Sequence, residues 1–216
     1  MPYVKELESL ILNRKSIRNY DPSKIISDSK INDILNYVRH TPSSYGLEPW
    51  KILVISNSKI KAQLQPIINN QQQVSTCSHL FILLSYSGEN FNTSNQWFVD
   101  TVMKRRNLTK PQYEIYKSTF NNFFDHDKKT QINHWAQCQT FILLQNLLLL
   151  LTAHEIDNVV LGGFNEQQLL TYLESNKIIE PNKYHVTILV SAGYGYPSKT
   201  KIIKNEVSEI STLINK

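Results

Sequence analysis

Cysteine is scarce in this chain: there are two in 216 residues, Cys77 and Cys138. They make no Cys-x-x-Cys pair and no metal-ligand spacing, which argues against a zinc module and a disulfide scaffold. Apolar runs lie within a few positions of both, so each is expected to be a buried free thiol, in keeping with a reducing compartment. A signal-peptide apolar core is also missing, because charges run through residues 1–18. Long hydrophobic runs are lacking too. The most apolar, residues 141–151, is interrupted by Gln145 and Asn146 and falls short of the ~20 residues a membrane span needs. A cytoplasmic protein is expected. Neither a His-Glu-x-x-His motif nor a Ser-His-Asp order occurs, and the isolated His79, His134 and His154 read as structural or surface residues. The net charge is +5, but the cations are scattered and form no Lys/Arg face of the kind a nucleic-acid binder carries. An enzyme for phosphorylated, anionic ligands fits this balance better.

What is present is enough for one soluble domain spanning 1–216, with 41% apolar and 19% charged residues and a substantial core. Val4, Leu7, Leu10 and Ile11 recur at helical spacing and predict a helix over about 3–13. Ser27 can cap a second helix, with Ile31, Ile34, Leu35 and Val38 on its apolar face, and Pro42 ends it. Residues 51–56 read as a strand, followed by a polar helix to about Asn69, and Gln71-Gln72-Gln73 as a solvated end or loop. Residues 79–86 are almost continuously apolar, a strand buried on both faces. Two short helices broken near 109–111 are expected over 95–124, and the longest, central helix over 133–153. A strand at 159–161 feeds Gly162-Gly163, Asn165 caps a helix to about 175, and 184–192 form the last strand. Strands separated by helices indicate an α+β or α/β sandwich.

Two segments carry the chemistry. Arg14-Lys15-Ser16-Ile17-Arg18 places three cations and a hydroxyl in five residues after a helix. A phosphate wants forked, permanently charged donors, which arginine supplies; a solvated basic helix end is the ordinary alternative. Thr41-Pro42-Ser43-Ser44-Tyr45-Gly46-Leu47-Glu48-Pro49-Trp50 is a turn opening onto a strand, which read alone is an interhelix connection. Gly162-Gly163 is either a plain tight turn or a place where backbone must come close to something. Lys199, Lys201 and Lys204 lie in a charged tail that normally only solubilises.

Taken as a pair, the two long motifs resemble the anion-binding and flavin-edge segments of the nitroreductase superfamily, and the resemblance runs from about residue 7 to 201. It implies an α+β, nitroreductase-like fold with a central mixed sheet flanked by helices, a long buried helix at a dimer interface, and a C-terminal arm (about 193–216) wrapping the partner subunit of a homodimer. It implies FMN as cofactor and NADH or NADPH as electron donor, with ping-pong transfer to small acceptors such as nitroaromatics or quinones. Arg14, Lys15 and Ser16 would then hold the phosphate and ribityl region, and Arg18 would lie near the pyrimidine edge of the ring. Pro42, Ser43, Ser44 and Gly46 would press on the partner's flavin; many relatives have Asn where this chain has Gly46. Leu161, Gly162 and Gly163 would bring backbone N–H groups to the ring, where some relatives have Glu in place of Gly162. Asn70 and Gln73 would face the pyrimidine edge, with Gln73 replacing a Lys, and Lys199 and Lys201 would reach the phosphate. Tyr45, Phe123 and Phe124 would line the substrate pocket, although core packing explains the two phenylalanines equally. No catalytic acid or base and no metal is implied. Other FMN chemistry on the same fold (dehalogenation, flavin fragmentation or dehydrogenation), a non-catalytic flavin binder and a cofactor-free basic protein are the alternatives.

Overall fold

A computed structural model describes residues 2–124, 128–196 and 202–215. The chain opens with α1 (Pro2–Asn13) and α2 (Asp28–Val38). Ser27 starts α2 as its sequence suggested, its Oγ accepting from the Lys30 N–H, a cap worth about 1 kcal/mol. After a single 3-10 turn at Ser44–Gly46 come β1 (Trp50–Ile55), α3 (Ser58–Leu64), α4 (Gln72–Thr76) and β2 (His79–Tyr86). A second 3-10 turn, Gly88–Phe91, leads to α5 (Gln96–Arg106) and α6 (Lys110–Phe123), with a capping box from Thr109 and Gln112 at the expected break. The remainder is α7 (Lys128–Ala153), β3 (Asp157–Leu161), α8 (Glu166–Ser175), β4 (Tyr184–Gly193) and a short α9 (Val207–Ile210).

The four strands form one sheet in the order β1-β2-β4-β3, and each neighbouring pair is antiparallel. The mixed sheet expected from the resemblance is therefore corrected: among the described residues parallel pairing is confined to an isolated bridge between Ser16 and Asn158. The connections β1 to β2 and β3 to β4 return each strand antiparallel beside its predecessor, while the long connection from β2 to β3 crosses to the far edge and leaves room for β4 between them. The central position of β2 explains its unbroken apolar run. Leu80, Ile82 and Leu84 face a core built with Leu64, Ile68, Val74, Leu169 and Leu173, while Phe81 and Leu83 face α2 and α7. A third, aromatic core gathers Phe91, Phe98, Phe120, Phe124 and Trp135 where α5, α6 and the start of α7 meet.

Within α7 the 23-residue stretch Gln131–Ala153 contains an 18-residue window of mean hydropathy 1.4, long and apolar enough to cross a membrane by length and composition. This revises the shorter span read from the sequence. In the fold, Leu143, Leu147 and Leu151 of α7 are buried against the sheet and α2, whereas Phe141 and Ile142 on its other side are exposed. Only one of the two thiols is buried. Cys77 lies in the core, and burial pushes its thiol up to about 11; Cys138, between Gln137 and Gln139, is exposed on α7, because a nearby apolar run does not say which face of a helix a given position takes.

Candidate functional site

The Arg14–Arg18 segment is held by its apolar members. Ile17 and Tyr20 are buried, the Ile17 N–H donates to the Asn158 carbonyl at 3.2 Å, and the Tyr20 hydroxyl donates to the Ser191 carbonyl at 2.9 Å. Burial drives the Tyr20 phenol far above its ordinary range, partly offset by the Ser191 hydrogen bond. Ser16 and Arg18, on either side of buried Ile17, are exposed, as alternation along an extended segment requires. Tyr20 also bridges to Gly195, whose N–H donates to Asp157 Oδ2 at 2.8 Å. The basic segment is thus clamped between β3 and the exit of β4.

The same strand ends at the glycine turn. Leu161 is buried and pairs with Leu189, and Gly162 follows on the exposed side. From Asn158 to Gly162 is roughly 13 Å along the strand. The loop before α4 closes over this turn. Gln71 Nε2 donates to the Gly163 carbonyl at 2.9 Å, and Gln73 Nε2 to Gln71 Oε1 at 2.9 Å. A Cβ on Gly163 would sit 3.0 Å from Asn69 Nδ2, so glycine here makes room for a neighbouring amide. The glutamine patch is consequently not a solvated end: Gln73 is 8% exposed, because its amide is satisfied inside. Asn70 is exposed, and Asn69 and Asn70 both take left-handed backbone at φ +52°, a conformation asparagine tolerates. Asn69, one residue from the position read in the sequence, is the one that meets the glycine turn.

Arg14 shares a cavity of about 380 Å³ with Ile11, Leu12, Gln145, Leu149, Ile202 and Lys204. Among the described residues no ion pair neutralises Arg14, Lys15 or Arg18. Lys204 is the tail cation that reaches this cavity; Lys199 and Lys201 lie outside the described residues.

The Pro42–Trp50 turn is built against other elements. The Ser44 N–H donates to Gln139 Oε1 on α7 at 2.8 Å, and the Glu48 N–H to Ser43 Oγ at 2.9 Å; Pro42 is exposed. Tyr45, Gly46 and Glu48 have φ of +58°, +62° and +46°, and the two non-glycine residues there store strain of about 1–3 kcal/mol each. Helices α5 and α6 restrain it. Arg105 Nη1 donates to the Leu47 carbonyl at 2.8 Å and its Nη2 pairs with Glu48 Oε2 at 3.3 Å. Arg106 Nε donates to the Tyr45 carbonyl at 3.0 Å, and the Tyr116 hydroxyl to the same oxygen at 3.3 Å. Burial pushes the Tyr116 phenol up to about 12, which keeps this donor protonated. Gln139 and Gln145 are separated by six positions of α7, roughly 9 Å of rise and about 120° around its axis. Within one chain, α7 therefore stands between this turn and the Arg14 cavity.

The aromatic residues divide. The Tyr45 ring meets Phe123 edge-on at 5.6 Å and Phe120 at 5.3 Å, and Phe123 is 57% exposed. Phe124 is 3% exposed and packs on Phe120 and Trp135, a core residue that also lines a cavity of about 390 Å³ with Glu89, Phe91, Asn121 and Ile132. Asn69, Gln71, Gln139, Arg105, Arg106 and Tyr116 were not singled out by motif. Asn69 and Gln71 adjoin a candidate segment, whereas Gln139, Arg105, Arg106 and Tyr116 are remote from one in the chain and carried no sequence signal.

A sequence profile of the nitroreductase family matches residues 11–194. A protein described as a candidate NAD(P)H nitroreductase of Haemophilus influenzae is 32% identical over 199 residues, 88% of each chain. Among solved structures, a nitroreductase-like protein from Streptococcus mutans superposes with a TM-score of 0.84 at 21% identity, over 98% of this chain and 100% of that one. A nitroreductase from Exiguobacterium sibiricum, solved in complex with FMN, superposes with a TM-score of 0.78 at 21% identity, over 96% and 97%.

Proposed function

The chain belongs to the nitroreductase family, and on that premise we propose that it is an FMN-dependent oxidoreductase passing electrons from NADH or NADPH to small acceptors such as nitroaromatics or quinones. The observation that supports this best is the convergence on β3. The basic segment is tied to its first half through Asn158, and the Gly162-Gly163 turn opens at its end.

The residues present fit the cofactor. Arg14 and Lys204 at one cavity, with exposed Ser16 two positions on from Arg14, offer two cations and a hydroxyl for a phosphate. The glycine turn carries no Cβ, and its geometry is kept by Asn69 and Gln71. When bound, FMN would supply the two-electron chemistry that couples nicotinamide oxidation to reduction of an acceptor, as the proposed ping-pong cycle requires. The protein's part is electrostatic and positional. Arg18, fixed by the buried neighbours Ile17 and Tyr20, presents a cation that favours negative charge on the reduced ring. Gln73 braces Gln71 and through it the glycine turn. Asn70 lies exposed beside that loop as a further polar contact.

A homodimer belongs to the same reading. Val4, Leu7, Ile11 and Leu12 of α1, Phe141 and Ile142 of α7, and Ile203, Val207, Ile210, Leu213 and Ile214 of the tail are exposed apolar residues, more than a free monomer ordinarily leaves in water. Pairing two chains over them would bring Pro42, Ser43, Ser44, Tyr45 and Gly46 of one subunit to the flavin of the other, with the tail as an arm. The same reading puts the enzyme in the cytoplasm.

The test is an anaerobic absorbance spectrum of the purified protein, titrated with NADH and then NADPH. A flavin spectrum bleached by either supports the proposal. A flavin that stays oxidised with both favours other FMN chemistry or a binding role, and a colourless protein that cannot be reconstituted with FMN defeats it.

A further inference from the structure

Arg106 has an arrangement that its place in the chain does not demand. With Lys104 and Arg105 it ends α5, where cations suit the helix dipole, and solvent would satisfy it. Instead it reaches across to the Pro42–Trp50 turn. Its Nε donates to the Tyr45 carbonyl, and its guanidinium lies 5.1 Å over the Tyr116 ring. Its Nη2 comes within 3.1 Å of where a Cβ on Gly46 would be. The guanidinium therefore fills the space left by the missing side chain at position 46. Arg105 beside it is neutralised by Glu48; among the described residues no carboxylate pairs with Arg106, and its Nη groups have no hydrogen-bond acceptor. Next to it stands an aromatic wall of Tyr45 and exposed Phe123, packed on Phe120. An apolar wall of edge-on rings beside a planar, unneutralised fork suits an aromatic ring that bears an anion.

We propose that Arg106 is a specificity-determining residue that selects ligands carrying a carboxylate or phosphate beside the ring that stacks in the site. This rests on the flavin oxidoreductase reading above. The anion has two sources, a carboxylate on the ring of the electron acceptor or the 2′-phosphate of NADPH. The latter lies beside the adenine and not the nicotinamide, so that the adenine would then be the ring against the aromatic wall. In either case the fork binds the anion through paired N–H donors.

The holoenzyme and its Arg106→Gln and Arg106→Lys variants would be assayed with para-nitrobenzoate against para-nitrobenzamide, and with NADPH against NADH. In Arg106→Gln the kcat/KM ratio of carboxylate to carboxamide should fall about tenfold, the scale of one charge-assisted contact. Arg106→Lys should restore part of it, since it keeps the charge and loses the fork. A fall in the NADPH to NADH ratio at a constant acceptor ratio would identify the donor phosphate as the anion bound. A merely structural role would lower all four rates together and leave both ratios fixed, and that result, or no change at all, overturns the inference. Wild-type flavoprotein that neither donor reduces would sink the nicotinamide-dependent oxidoreductase reading and this inference with it, before any variant is compared.

Discussion

Replacing Gly195 with alanine would drive a methyl group into Ile17 Cγ2, and leave it 3.0 Å from the Asn19 carbonyl and 3.3 Å from Asp157 Oδ2. None of these can yield cheaply. Ile17 is buried, its N–H is bonded to Asn158, and Asp157 accepts from the Gly195 N–H. Overpacking of this kind costs about 1–3 kcal/mol. Taking about 2 kcal/mol, and about 2–4 °C per kcal/mol for a chain of this size, the unfolding temperature should fall by about 4–8 °C. The strain would be relieved by moving Ile17, and Ile17 lies between Ser16 and Arg18, so FMN affinity should weaken along with stability. Differential scanning calorimetry and flavin titration read the two effects. Ile17→Leu removes the β-branch that the new methyl strikes while nearly conserving volume. The Gly195→Ala/Ile17→Leu double variant should therefore be more stable than the sum of the singles, by a coupling of about 1 kcal/mol. Strict additivity, or an unfolding temperature untouched by Gly195→Ala, would refute the claim that this close approach positions the basic segment.

Lys61, 3% exposed, donates through Nζ to the carbonyls of Cys77 and Ser78, the latter at 3.1 Å. Lys61→Met orphans both acceptors and should lower stability by about 2–4 kcal/mol in urea unfolding; a midpoint equal to wild type would show that water replaces the ammonium. His79 is held neutral. Burial first, then the nearby Lys61 charge, lowers its pKa, and Ser78 Oγ, which accepts from the Ile26 N–H, shares a hydrogen bond with Nδ1 at 2.9 Å. Because the unfolded chain binds the proton more readily, stability should be intact above the unfolded value near 6.5 and decline as pH falls below it. His79→Gln should flatten that decline in a series of melts from pH 7 to 5, and an unchanged slope would exonerate the residue. Arg14→Ala should weaken FMN binding by about tenfold or more and make it less sensitive to added salt; equal affinity and salt dependence in the variant would remove Arg14 from the phosphate site. Arg18→Ala should slow flavin reduction by NAD(P)H in stopped flow, and an unaltered rate would refute its placement at the ring.

Much of the architecture was decided within a few residues of chain. Ser27 and Asn165 start their helices because each side chain satisfies an N–H two or three positions on. The break between α5 and α6 follows from Asn107 in left-handed backbone and the Thr109 box. The apolar run of β2 announced a strand covered on both faces, and the two signature segments were legible because each is a short contiguous string. Local hydrogen bonding and periodicity are complete inside such windows, so the sequence alone determines them. Facing and partnership were not. Gln73 is buried because a glycine turn some ninety positions later accepts from Gln71, and Cys138 is exposed although an apolar run begins three positions later. Asn69, not Asn70, meets Gly163 because of a turn in the backbone that identity does not specify. The antiparallel order of the sheet, the clamp of Ile17 by β3, and the reach of Arg106 to Tyr45 across 61 positions exist only once distant segments have closed on one another. Closure depends on the packing of the whole chain, and no single stretch of sequence contains it.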